Sequence, residues 1–134
     1  MPANHVLEVR IFRVHHGRRN EFIARFHEQL LPMFKRNGVE PIHYGPSLHD
    51  EDSFFLIRAW PSVEERQEKL DAMYGGAEWL MNQEEQVLDM IDTMDTCVLA
   101  ADEWLIGAIR EGFEDSHVEA EKLPVGESER GTSD

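Results

Sequence analysis

The chain has 134 residues, 41% of them hydrophobic and 30% charged, which suits one ordinary globular domain. Lys and Arg number 13 against 27 Asp and Glu, a formal charge of -14, so nucleic acid and anionic membrane surfaces are disfavoured as partners. The single cysteine, Cys97, excludes an intrachain disulfide and a thiolate zinc site, and its place on a strand predicts a buried, inert thiol. No secretory pattern opens the chain, and no apolar run approaches the roughly 20 residues that span a bilayer. A cytoplasmic protein is the expectation.

His5 to Val14 alternates. Leu7, Val9 and Ile11 form a wholly apolar face, while Val6, Glu8, Arg10, Phe12 and Val14 form a mixed one. After Gly17, apolar residues recur at helical spacing from Phe22 to Phe34, with Pro32 as a kink and Asn37-Gly38 as the stop. Val39 to Pro46 reads as a weak edge strand, because Pro41 and Pro46 remove ladder donors. Ser53 to Trp60 is the strongest strand. Ser62 and Glu65 have capping-box spacing and start a helix that ends at Gly75-Gly76. A second helical piece covers about 77–91, a fourth strand covers 93–101, and Asp102 caps a short last helix.

The order β-α-β-β-α-β is the ferredoxin-like unit, an α+β fold with an antiparallel sheet and helices on one face. The domain is expected over residues 4–110. Residues 111–134 hold eight acids against Lys122 and Arg130 and lack a sustained period, which predicts a flexible acidic tail. With Leu7, Val9 and Ile11 assigned to the helices, the opposite face would show Glu8, Arg10, Phe12, Phe54, Leu56, Arg58 and Trp60. That face is too apolar for water, and the economical cover is a second copy, giving a homodimer.

The candidate site lies on that face. Glu8 would pair with one guanidinium and leave another, on Arg10 or Arg58, to grip a carboxylate or phosphate by a two-pronged hydrogen bond. Phe12, Leu56 and Trp60 would form apolar walls. His16, beside Gly17 at the strand-to-helix turn, is a candidate general acid or base, as is Glu8. His43 and Tyr44 alternate on the second strand, so only one of them can face the cleft. No cofactor motif and no metal-ligand spacing is present, and His49-Asp50-Glu51-Asp52 reads as a solvated turn.

VLEVRIFRVHHGRRNEF at 6–22, LLPMFKRNG at 30–38, FFLIRAWPSVEERQEKL at 54–70 and the stretch around Glu78-Trp79 together resemble the NIPSNAP family. The resemblance covers about residues 5–101 and departs from the family at Arg58, where an aromatic is common. It implies a dimeric α/β barrel with a ligand cleft between sheet and helices or partner. Relatives on that architecture include cofactor-independent monooxygenases, isomerases and plain binding proteins. The expected function is therefore binding of a small, partly apolar anion. The alternatives are a cofactor-independent monooxygenase or isomerase of an aromatic or polyketide-like substrate, and a non-catalytic protein-interaction module.

Overall fold

The computed structural model describes residues 5–122. Strands β1 (His5–Val14), β2 (His43–Pro46), β3 (Ser53–Trp60) and β4 (Ile91–Ala101) form one antiparallel sheet in the order β2-β3-β1-β4. Helices α1 (Arg19–Arg25) and α2 (Leu31–Arg36) follow β1, and α3 (Val63–Tyr74), α4 (Ala77–Asn82) and α5 (Glu84–Met90) follow β3. The long helix α6 (Glu103–Lys122) comes last and runs across the expected boundary at residue 110. Residues 1–4 and the tail from 123 on lie outside the described residues.

The chain's local signals act where their chemistry demands. The Ser62 hydroxyl accepts from the Glu65 amide at 3.1 Å, and Asp102 accepts from the Leu105 amide at 2.8 Å. Gly38 takes φ +71°, the left-handed conformation that ends α2. Between α1 and α2 the chain widens into a π-turn over Phe26–Leu30. Pro32 follows in the first turn of α2, where its missing N–H is tolerated, so the helix adapts by changing pitch just before it. The helical piece expected over 77–91 breaks at Gln83, and Arg25 holds the break by donating to Gln83 Oε1 and to the Asn82 carbonyl.

The faces of the sheet are the reverse of the expectation. The helices cover the mixed face: Val6, Phe12, Val14, Phe54, Leu56 and Trp60 join Phe22, Phe26, Leu30, Met33, Phe34, Met73, Trp79 and Met90 in the main core. Glu8, Arg10 and Arg58 are buried within that same layer. The physical reason is that charged side chains enter a core when they are paired and hydrogen-bonded, so their presence on a strand face does not send that face to the outside. Burial of the large aromatics then decides the orientation. The Phe22 ring lies 5.4 Å from both Phe12 and Phe54, and the Phe26 ring lies 4.8 Å from Phe54.

The all-apolar row is on the outer face. Helix α6 covers part of it, packing Ile106 and Ile109 with Leu7, Ile42, Ile57 and Ala59. Ile11 and Leu99 stay exposed. Strand β4 is the open edge, and Cys97 on it is exposed, which corrects the expectation of a buried thiol. Phe12→Ala is expected to cost about 3–5 kcal/mol in urea denaturation, the range for a buried aromatic. Its neighbour Arg13→Ala, on the exposed outer side, is expected to cost no more than about 0.5 kcal/mol.

Candidate functional site

Strand pairing sets Glu8 directly opposite Arg58 and Arg10 opposite Leu56, so β1 and β3 present these groups to the helices side by side. One Glu8 oxygen accepts from Arg58 Nη1 at 3.4 Å and from the Trp60 indole at 3.3 Å. The other meets Arg10 Nη2 at 2.8 Å and Arg66 Nη2, from α3, at 3.2 Å. One carboxylate thus meets three guanidiniums in a buried layer. Arg58 also donates to the Val39 carbonyl at 2.9 Å and lies over the Phe34 ring. Arg58 Nη2 and Arg66 Nε are buried with no described acceptor.

Burial pushes the Glu8 carboxyl up, but Arg58, Arg10 and Arg66 together pull it lower still, so its net shift is downward. It is an ionised counter-ion with no proton to give near neutrality. This geometry assigns it the role of anchor for the arginines. Arg10 is fully engaged: its other two nitrogens donate to Thr96 Oγ1 at 3.2 Å and to the Tyr74 phenol at 3.1 Å. Phe12 sits in the aromatic core, and Trp60 is tied to Glu8.

The remaining candidates are dispersed. Tyr44 faces the helix layer, 5.1 Å from the Phe26 ring, and burial followed by the charge of Glu40 pushes its phenol up. His43 faces the outer side, 5.0 Å from Phe55 and 4.7 Å from Phe113 of α6. His16 is exposed and pairs with Asp52 at 3.1 Å, far along the chain's surface turn from the arginines. Arg66 and Tyr74 lie on α3, out of reach of strand alternation, and Thr96 joins them from β4 opposite Arg10. Arg66 does carry a signal, since it stands four residues before Leu70 and seven before Met73, the buried stripe of α3.

Two larger clefts lie elsewhere. One of about 740 Å³ runs between the starts of α3 and α6, past Val63, Ala100, Trp104 and Leu105. Another of about 520 Å³ lies between α2, β2 and α6, past Lys35, Tyr44 and Arg110. Neither is lined by Glu8, Arg10 or Arg58. Among the described residues there is no group of side chains fit to hold a metal ion and no helix long and apolar enough to cross a membrane.

The pattern of the NIPSNAP family matches residues 7–105. The chain belongs to the NIPSNAP family. Solved structures agree with the fold. A NIPSNAP-like domain protein of Burkholderia xenovorans, uncharacterised, is 14% identical over 75% of this chain and 88% of its own, with a TM-score of 0.68. A NIPSNAP family protein of unknown function from Agrobacterium tumefaciens is 17% identical over 75% and 90%, with a TM-score of 0.68. The cofactor-independent oxygenase SnoaB of Streptomyces nogalater is 18% identical over 74% and 94%, with a TM-score of 0.55. No curated protein matches the chain significantly. The NIPSNAP match ends near the start of α6, so most of that helix lies beyond it.

Two outcomes follow from the site's electrostatics. Glu8→Gln removes the counter-ion from three guanidiniums and is expected to cost about 3–5 kcal/mol in chemical denaturation at neutral pH. Because Glu8 titrates below its ordinary value of 4.5 when folded, its contribution is complete above that pH. It fades as pH falls through the folded pKa, so wild type and variant should converge in acid. For His16, hydrogen bonding and attraction from Asp52 hold the ring above its ordinary 6.5. The pair therefore stabilises the turn fully below pH 6.5 and is lost as pH rises through the higher folded value. An NMR titration should place His16 above 6.5, and Asp52→Asn should bring it back down.

Proposed function

We propose that this NIPSNAP protein is a homodimer that holds a small, partly apolar anion at the arginine cluster. The observation that carries the reading is the charge balance: three guanidiniums share one carboxylate, and Arg58 Nη2 and Arg66 Nε are buried without a described acceptor. A buried donor without an acceptor is costly, and a second anion supplies both the acceptor and the missing charge. Phe34, over which Arg58 lies, and Trp60, bonded to Glu8, suit a ligand with an apolar body.

The second copy in this reading covers the outer sheet face around Ile11 and Leu99, which α6 leaves open. Two sheets facing each other would make the dimeric α/β barrel. The oxygenase neighbour supports a second reading, a cofactor-independent monooxygenase or isomerase. There the same cluster would steady the enolate or phenolate oxygen of an aromatic substrate. Oxygen uptake with such a substrate separates catalysis from binding alone.

Native mass spectrometry with benzoate as probe tests the binding reading. The expected result is a dimer that takes up benzoate but not benzyl alcohol, with benzoate raising the melting temperature. Arg66→Gln, at the solvent side of the cluster, should stay folded and weaken benzoate at least about tenfold, the size of a charge-assisted hydrogen bond. A chain that ignores benzoate, or an Arg66→Gln variant that binds it like wild type, overturns the anion site. A monomer overturns the paired sheets. Retention of the dimer without any anion response would leave a protein-interaction module.

A further inference from the structure

The arginine cluster stops abruptly at β4. On the helix side, β1 presents Val6, Glu8, Arg10 and Phe12, all buried. The residues opposite them on β4 are Ala100, Val98, Thr96 and Met94, all exposed. The helix layer therefore ends between these two rows. Met94 is 49% exposed and Val98 37%, so an apolar strip lies open beside a buried group of cations.

Arg10 bridges the boundary. Its Nη2 is held by Glu8, its Nε donates to the Thr96 hydroxyl and its Nη1 to the Tyr74 hydroxyl. Each of these hydroxyls accepts from the guanidinium and keeps a proton of its own. Accepting from a cation polarises an O–H and makes it a stronger donor. Thr96 is exposed and Tyr74 is half-buried, so both stand at the open margin.

We propose that Tyr74 and Thr96 are further ligand-facing groups of this site, beside Arg58 and Arg66. Their hydroxyls, both charged up by Arg10, donate to the oxyanion of a ligand whose apolar body lies along Met94 and Val98 on β4. Glu8 holds Arg10 in place and Arg10 holds the two hydroxyls, so at this margin two neutral donors join the buried guanidiniums in facing the ligand. The ligand class is an amphiphilic oxyanion, either a carboxylate or an enolate or phenolate. The surplus of cations selects the charge, and the bare row of β4 selects the apolar body. The inference rests on the anion-binding reading given above.

Titration calorimetry with benzoate and 4-butylbenzoate tests it on the full chain. Wild type should bind 4-butylbenzoate more tightly, by roughly fourfold for each methylene that reaches the strip. Tyr74→Phe and Thr96→Val should each weaken both acids about tenfold. Thr96→Ser keeps the hydroxyl and should keep the affinity, which guards against loss of packing alone. Val98→Asp should remove the preference for the butyl group. If wild-type affinity is the same for both acids and Tyr74→Phe and Thr96→Val bind as wild type does, the inference is overturned while the cluster remains an anion site. If Val98→Asp alters only the oligomeric state, β4 serves the second copy and the inference is again overturned. If wild type binds neither acid, the anion reading itself fails.

Discussion

The buried carboxylate of Glu8 is the constraint on which the sheet and its helices depend. Arg10 comes to it from its own strand, Arg58 from β3 and Arg66 from α3, so one side chain ties together three elements. Buried ion pairs are often no more stabilising than apolar packing of equal volume, but removing one partner is severe. Here the loss would strand three cations at once. Through Arg66 the arrangement also joins α3 to the sheet at this carboxylate. Trp60 adds a fourth donor and holds the end of β3 to the same carboxylate.

Much of the fold is legible in the residues. The order of elements follows from alternation and helical spacing, and Ser62, Asp102 and Gly38 mark their ends by side-chain or backbone chemistry that acts locally. What local chemistry does not carry is which face of a strand meets the helices. Leu7, Val9 and Ile11 form the more apolar row, yet the mixed row is buried. Hydrophobicity counts each residue separately, whereas Glu8, Arg10 and Arg58 are tolerated only as a set. The set includes Arg66, 58 residues from Glu8 in the chain, and strand alternation says nothing of its docking. Conversely, the grouping of Glu8, Arg10 and Arg58 is itself legible, because the first and third strands are neighbours in this topology. Period 2 places the three charges on one face whichever way that face turns.

The family places the protein in a fold shared at 14–18% identity, where sequence has diverged and architecture has not. At such distance a neighbour's chemistry is information about the scaffold's capacity, and the reaction must be argued from side chains. The binding reading proposed above is argued from them. Three guanidiniums hold the carboxyl of Glu8 below its ordinary range, and the histidine expected to act as an acid or base sits with Asp52 in an exposed turn.

The bare edge of the sheet carries a further consequence for how the chain survives at high concentration. Strand β4 offers 11 residues that pair only with β1 among the described residues, including the apolar run from Cys97 to Ala101. Such an edge is a template for pairing with any other extended chain. Asp92 and Asp95 lie on the same strand, and the chain as a whole is strongly acidic. Two β4 edges that approach each other bring these carboxylates together, and their repulsion opposes runaway pairing. The acidic excess thus opposes edge-to-edge pairing by repulsion, and salt, by screening that repulsion, weakens the opposition.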